Sequence, residues 1–357
     1  MATLREWLFL PEVEPPEDYG FFGPDSVAWK VWSYPTSLSL GFQRAVVIEE
    51  LDPALIAAVD KTSAIYSRPR TRYDRTLRYF AMVLFGDSRS TAKAADVLVK
   101  VHSKAVGIDP VTGGIYDAND PQSQLWIHLT AWHSILITYE KYGPGRLSEA
   151  EENQFWEECA RAAELQTCDP ADVPRTREGV REYFERIRPE LIGSDIARKA
   201  MRHLLRADVM LPPMPFVVRP FFTIVAAFLR RATLATMPRW MREMAGLPTN
   251  RGLDLLIVPP ISAIVTLISM NVWLQIVLLR FLSPMTVDIA APVLMKIAPV
   301  APVTTTPREA QKRYGYAIPA AAHHELREKQ RNRVLNKGLA PGDEGLIESE
   351  PILGRMA

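Results

Sequence analysis

Residues 255–279 contain no charged side chain, and this feature limits most strictly what the chain can fold into. An uncharged stretch of this length is long enough to cross a lipid bilayer as a helix. Pro259 and Pro260 near its start, and Asn271 and Gln275 within it, shorten the purely apolar part. A helix that is apolar on all sides also occurs at the centre of a large helical core. We therefore favour a buried core helix or peripheral membrane attachment over a true membrane span.

The uncharged stretch belongs to a longer segment, residues 211–284, for which we predict apolar helices that are possibly membrane-associated. Its first apolar run, residues 221–229, ends at Arg230 and Arg231. Arginines in such a position suit a lipid interface. Ordinary solvated arginines explain them equally well.

The rest of the chain follows helical periodicity. Alternating apolar and polar runs joined by hairpin turns, the pattern of strands, are nearly absent. We predict an all-α protein with a single large helical domain over residues 18–335. Residues 1–17 contain three prolines and no sustained period, so they are expected to form an extended arm. Residues 336–357 are rich in Gly, Pro and Glu, which is typical of a disordered tail.

Composition excludes several classes of protein. The 357 residues are 48% hydrophobic, enough for a large core, and the formal net charge of +1 provides no basic surface for nucleic acid. The two cysteines, Cys159 and Cys168, have neither CxxCH nor zinc spacing, which argues against covalent haem, structural zinc and a disulfide scaffold. The first residues lack the apolar run of a signal peptide. We expect a cytoplasmic protein, possibly peripheral to the membrane.

Common catalytic signatures are also missing from the sequence. It contains no ExxH pair for a di-iron bundle, no HExxH, no GxSxG and no Walker A motif. The glycines near residue 110 do not form a dinucleotide-binding fingerprint, and we predict a loop there.

The most informative stretch runs from Arg72 to His102. Residues three, four and seven apart share a helix face, so Arg72, Arg75, Thr76 and Tyr79 project from one side of a predicted helix. After a break at Gly86 and Asp87, a second helix is predicted to start near Ser90 or Thr91, with His102 on its apolar face. An imidazole facing a cationic and hydroxylic surface within an apolar core is what a non-covalent haem requires. On spacing alone, however, a hydrogen-bonded core histidine is the commoner explanation.

The predicted helix over residues 122–142 carries two further histidines. It is apolar on all sides and therefore expected to be buried. His133 is more easily explained as a core imidazole, whereas for His128 a core role and a place on a haem face are equally supported. His128 is the second candidate for the axial ligand.

The motif over residues 72–107 resembles the family that groups bacterial rubber oxygenases (latex-clearing proteins) with ER-bound MpaB-type oxygenases. The pattern is Arg-x-x-Arg-Thr, an aromatic residue, Phe-Gly, and a His followed by Val and Gly. The resemblance extends over about residues 18–250, including the Gly-Phe-Phe-Gly-Pro run from Gly20 and the Met-Pro-Arg-Trp run from Met237. In the rubber oxygenases the motif is Arg-x-x-Lys-Thr, and the His that follows it ligates haem b.

The resemblance implies a role for each matching residue. Arg72 and Thr76 correspond to the catalytic polar pair, and His102 corresponds to the axial ligand of the haem iron. Arg75 stands where the rubber oxygenases have Lys, which can itself cap the iron; a guanidinium stays protonated and is a poor metal ligand. With Tyr79 and His128, Arg75 is expected to help bind the cofactor.

The resemblance thus implies a haem b-dependent oxygenase with a globin-like helical core, acting with dioxygen on a hydrophobic small molecule or lipid. Arg72 would stabilise an iron-bound oxygen species, and Thr76 would relay a proton through water. Two alternatives remain open, a haem-binding protein without turnover and a membrane-associated helical protein with a degenerate motif. Nothing in the sequence identifies the substrate, the product or the oligomeric state.

Overall fold

The computed structural model describes residues 9–207, 211 and 215–343, and most of these residues are helical. The predicted arm and tail lie partly outside this range, at residues 1–8 and 344–357. The α-helices and strands are, in chain order, α1 Val27–Trp32, α2 Phe42–Glu49, α3 Pro53–Thr62, α4 Ala64–Ser67, α5 Pro69–Phe85, α6 Ser88–His102, β1 Val106–Ile108, β2 Ile115–Asp117, α7 Pro121–Tyr142, α8 Glu149–Ala163, α9 Arg177–Ile187, α10 Asp195–Leu204, α11 Arg219–Thr236, α12 Arg239–Met244, α13 Arg251–Leu256, α14 Val258–Ser269, α15 Val272–Leu282, α16 Val287–Leu294, α17 Pro307–Tyr314 and α18 His324–Arg331.

The helical content confirms the predicted all-α fold. The largest hydrophobic core contains residues from Phe21 to Ala310. One small departure is the hairpin of β1 and β2, where we predicted only a loop. Its strands are antiparallel, with Gly107 opposite Tyr116, and each is three residues long. Strands this short leave no alternating pattern in a sequence, so periodicity could not have revealed them.

Helices α5 and α6 form an antiparallel pair joined at Gly86. Pro69 opens α5, where a missing N–H costs least, and the Asp87 side chain caps α6 by accepting from the Ser90 N–H at 2.8 Å. Helix α6 therefore starts at Ser88, two residues before the predicted start. The Thr91 hydroxyl donates to the Met82 carbonyl at 2.8 Å and fastens the two helices beside the turn.

Helix α7 is the central element of the core. Its Pro121 occupies the first turn, and the Asp120 side chain accepts from the N–H groups of Gln122 and Ser123. Trp126 and Trp132 are fully buried, and the Trp126 indole donates to the Glu49 carbonyl at 3.2 Å. This bond holds the start of α7 beside the end of α2.

The chain before α1 is attached to the body by backbone pairing. Residues 16–20 exchange backbone hydrogen bonds with residues 300–305. The Asp18 carboxylate accepts from the Gly20 N–H and from the Ser88 N–H, each at 2.8 Å. The turn between α5 and α6 is thereby clamped to the N-terminal segment.

Helices α11, α13, α14 and α15, which cover most of the apolar segment 211–284, lie at the surface. Residues Arg251–Ser269 form a helical stretch long and apolar enough to cross a membrane, yet only 22% of its most apolar window is buried within the protein. Ile257, Ile261 and Val265 pack inward against Tyr142, while the opposite side is exposed. The stretch is therefore not the central core helix that was one of our two favoured interpretations, and the other, peripheral membrane attachment, stays a prediction.

We predict that Gly20→Ala destabilises the protein, because it disturbs the contact between the N-terminal segment and the turn at Gly86. Gly20 has a positive φ of 66°, and a Cβ there would come within 2.1 Å of the Gly86 carbonyl oxygen. Gly113 also has a positive φ, of 77°, but no atom within 4 Å of an added Cβ, so Gly113→Ala is the matched control. We expect the free energy of unfolding to fall by about 1–2 kcal/mol in the control and by at least about 3 kcal/mol in Gly20→Ala, measured by urea denaturation. Equal losses in the two variants would contradict the clash.

Candidate functional site

Arg72 and His102 come together because α5 and α6 are antiparallel and joined at Gly86. Arg72 lies fourteen residues before this turn, and His102 lies sixteen residues after it. Both side chains are half-buried. Burial and, to a lesser extent, the positive charge of Arg72 lower the pKa of His102 to about 4. The imidazole is therefore neutral at pH 7, which is the state that binds a metal ion.

The two ring nitrogens of His102 differ in their surroundings. Nδ1 lies 3.5 Å from the amide nitrogen of Gln124, which also donates to the Ala118 carbonyl at 2.6 Å. An N–H directed at Nδ1 favours the tautomer with its proton on Nε2, but the contact is at the outer limit of a hydrogen bond and this preference is weak. Within the part of the chain that the structure describes, Nε2 has no hydrogen-bond partner.

Two adjacent carboxyl groups, Glu49 and Glu50, lie near Arg72 at the end of α2. Burial raises the pKa of each to about 8, and the charge of Arg72 partly offsets the rise. Glu50 is only 3% exposed, and its Oε2 has no hydrogen-bond partner among the described residues. Both groups are therefore protonated at neutral pH, and Glu50 holds its proton in a buried position.

Arg72 is consequently a cation near groups that are mostly neutral. Across residues 9–207, 211 and 215–343, no carboxylate lies within ion-pair distance of its guanidinium. Such a cation can receive an anionic group from a ligand.

Thr76 and Arg75 lie on α5 beside Arg72, as predicted. The Thr76 hydroxyl donates to the Arg72 carbonyl at 2.9 Å, so the backbone of its own helix holds it. Arg75 is half-buried.

Tyr79 and His128 belong to a second polar cluster, arranged around the two cysteines. The Tyr79 hydroxyl donates to the Leu165 carbonyl at 3.4 Å, and burial followed by the nearby Cys168 thiol raises its pKa. His128 Nε2 lies 2.8 Å from the Cys159 carbonyl and 3.4 Å from the Cys159 sulfur. Burial lowers the pKa of His128 to about 4, and its Nδ1 has no partner among the described residues. The structure thus places these two predicted cofactor residues in hydrogen bonds that do not involve Arg72 or His102.

Our sequence analysis missed Glu49, Glu50 and Gln124. A signal for the two carboxyl groups was present, because Glu49 and Glu50 directly follow the apolar run at residues 45–48. Charged residues that end a buried helix without a basic neighbour in sequence need a partner from elsewhere in the fold. No local pattern, however, indicates that this partner is Arg72. No cluster of three or more His, Cys, Asp or Glu side chains suited to a metal ion occurs in the described part of the chain.

We predict that Glu50 makes stability depend on pH. Because its pKa rises from 4.5 to about 8 on folding, the native state holds this proton more tightly, and stability falls as the pH rises through that range. Gln has the shape of the protonated acid, so Glu50→Gln should remove the part of this slope that Glu50 contributes and leave that of Glu49. The free energy of unfolding of the wild type should fall relative to Glu50→Gln by a few kcal/mol between pH 5 and pH 8, measured by chemical denaturation.

Glu157→Gln is the matched control, because the Glu157 side chain is 62% exposed. It should follow the wild type across the whole pH range. A wild-type curve parallel to that of Glu50→Gln would show that Glu50 is ionised in the native protein.

The sequence was also compared with known proteins. It matches the family model described as "ER-bound oxygenase mpaB/B'/Rubber oxygenase, catalytic domain" over residues 29–258, which include Arg72, Thr76, His102 and His128. No curated protein and no solved structure matches it. The match covers more than half of the chain, so the protein belongs to the family of ER-bound MpaB-type and rubber oxygenases.

Proposed function

We propose that this member of an oxygenase family is a haem b-dependent oxidoreductase that acts with dioxygen on a hydrophobic small molecule or lipid. The observation that carries the proposal is the nearness of a neutral His102 imidazole to Arg72. By resemblance these two residues correspond to the haem ligand and the catalytic arginine of the rubber oxygenases. Bound haem b would supply the iron that activates dioxygen.

The residues around His102 suit this cofactor. The ring is neutral, half-buried and unpartnered at Nε2, so His102 could hold the haem iron. The long contact between Gln124 and Nδ1 favours neither tautomer of the ring strongly. Arg72 and Arg75 provide cations for propionate groups on a neighbouring helix face.

Each residue near the proposed haem site would have a distinct role. Arg72 binds and orients negative charge, and its effect is strong because the surrounding groups are buried. Glu50 holds a proton on a carboxyl group whose Oε2 has no other partner, so it can donate to a reacting group. Thr76 can relay a proton only after its hydroxyl leaves the Arg72 carbonyl. We propose His128 and Tyr79 as residues that support the cofactor from the second cluster.

The apolar cleft of the described structure is lined by Trp32, Leu38, Phe85 and Leu278, among others. Phe85 lies thirteen residues after Arg72 on α5, which separates them by about 20 Å along the helix axis. A hydrophobic substrate of the proposed enzyme would therefore have to lie along α5, or the core beside Arg72 would have to open.

A second candidate function is haem binding without turnover. It is favoured by the hydrogen bond that the Thr76 hydroxyl forms with its own helix, since a proton relay needs that hydroxyl. We further propose a cytoplasmic protein that contacts the membrane peripherally; the exposed apolar sides of α11, α14 and α15 support the membrane contact.

We predict that the purified protein supplied with haem b shows a Soret band that depends on His102. His102→Ala should abolish the band, whereas His128→Ala and His203→Ala should keep it, because His203 Nε2 already bonds to the Ile65 carbonyl outside the site. Absorption spectra of the four proteins provide the test. Loss of the band in His128→Ala alone would assign the ligand to His128, and a band unaffected by either substitution would refute haem binding through these histidines.

We further predict that Arg72→Gln keeps the Soret band but lowers dioxygen consumption with a hydrophobic substrate by about 10²-fold or more, because a preorganised charge is lost. Arg78→Gln is the matched control on the same helix, since Arg78 pairs with Asp288 at 2.8 Å. An oxygen electrode measures the rates. Equal rates in the wild type and in Arg72→Gln would favour the haem-binding candidate without turnover.

A further inference from the structure

Gln124 is the one polar side chain that the described residues bring within hydrogen-bond distance of His102 Nδ1. It lies in the first turn of α7, and the residue is only 4% exposed. Its amide nitrogen lies 3.5 Å from Nδ1 and 2.6 Å from the Ala118 carbonyl oxygen. Because the second contact is much shorter, the hydrogen bond to Ala118 determines the orientation of the amide.

The Ala118 contact also identifies which end of the amide lies beside His102. A carbonyl oxygen can only accept, so the amide atom 2.6 Å from it is the nitrogen, and the same nitrogen contacts Nδ1. Exchanging the amide oxygen and nitrogen would place two oxygens against each other. Gln124 therefore presents an N–H group to Nδ1 and no acceptor.

The turn that carries Ala118 is held against the end of α6. The Ala118 N–H donates to the Ala105 carbonyl at 2.9 Å, and the side-chain amide of Asn119 donates to the Val99 carbonyl at 2.9 Å. Arg327 of α18 donates to the Asn119 carbonyl at 3.4 Å. These bonds keep the Ala118 carbonyl in place, and with it the amide of Gln124.

The surroundings of Nδ1 differ from those of most metal-binding histidines. A metal-bound histidine usually donates its second ring N–H to a carboxylate, a backbone carbonyl or water, and this bond raises the basicity of the ring. A neutral imidazole has one ring proton, so a ring that gives Nε2 to a metal carries the proton on Nδ1. At His102 the described residues offer that nitrogen another N–H. The ring is therefore a weaker electron donor than a histidine backed by a carboxylate.

We propose that Gln124 is a positioning residue of His102, which withholds a hydrogen-bond acceptor from Nδ1 and thereby favours ferrous over ferric haem. A weaker axial donor stabilises ferric iron less, which raises the reduction potential. Ferrous haem binds dioxygen, whereas ferric haem reacts with peroxides, so Gln124 favours dioxygen as the co-substrate. The inference rests on the proposed function, because it requires that His102 holds the haem iron.

The reduction potential of the full chain supplied with haem b tests the inference. Gln124→Glu places a carboxylate beside Nδ1, so at a fixed potential the ratio of ferrous to ferric haem should fall by at least about tenfold, or about 59 mV for a one-electron couple. Gln124→Met keeps the length of the side chain and offers no acceptor, so its ratio should stay within about twofold of the wild type. Spectroelectrochemical titration of the Soret band measures these ratios.

Gln122→Glu is the matched control, because it makes the same change of charge on the same helix at an exposed residue. Its potential should equal that of the wild type. Far-UV circular dichroism checks that every variant is folded.

The outcomes separate the inference from the proposed function. Equal potentials in the wild type and Gln124→Glu, with the Soret band retained, would refute the inference and leave the proposed function intact. A higher ferrous ratio in Gln124→Met would also refute it, because the wild-type amide would then already be an acceptor, and this comparison does not need Gln124→Glu to fold. A wild type without a Soret band would refute the proposed function, and the inference with it.

Discussion

The antiparallel packing of α5 on α6 is the constraint on which the candidate site depends. It requires a close turn at Gly86, where an added Cβ would lie 2.7 Å from both the Met82 carbonyl oxygen and the Thr91 hydroxyl. The Asp18 carboxylate then holds the turn through the Ser88 N–H. Because helices are stiff, a turn fastened at one end determines which residues meet at the other end. His102 lies near Arg72 for this reason.

Burial of ionisable groups without matched partners gives the site its chemistry. Arg72 contributes a guanidinium, while burial keeps Glu49 and Glu50 protonated and His102 neutral at pH 7. The Arg72 cation attracts a negatively charged ligand strongly, since no carboxylate in the described structure lies within ion-pair distance of it. The same burial leaves the Glu50 Oε2 atom without a partner among the described residues, which is costly unless a ligand uses it.

Apolar residues serve two different purposes in this protein. In α7 they surround tryptophans that fill the core, and the helix is buried on most sides. In α14 they are equally abundant, but only one side contacts the protein. Composition does not distinguish these cases, because a buried helix and a lipid-facing helix expel water for the same reason. The difference lies in which neighbours the fold provides.

The sequence by itself determined the helical architecture, the family, and the residue types at the site, because helix periodicity, capping and motif spacing are local properties. It also indicated that Arg72 and His102 lie on neighbouring helices. Only the tertiary structure brought Glu49, Glu50 and Gln124 to them and placed Tyr79 and His128 around the two cysteines. It alone put the apolar segment at the surface. These outcomes depend on contacts between residues far apart in the chain. Such contacts cannot be predicted from the residue pattern of a single segment.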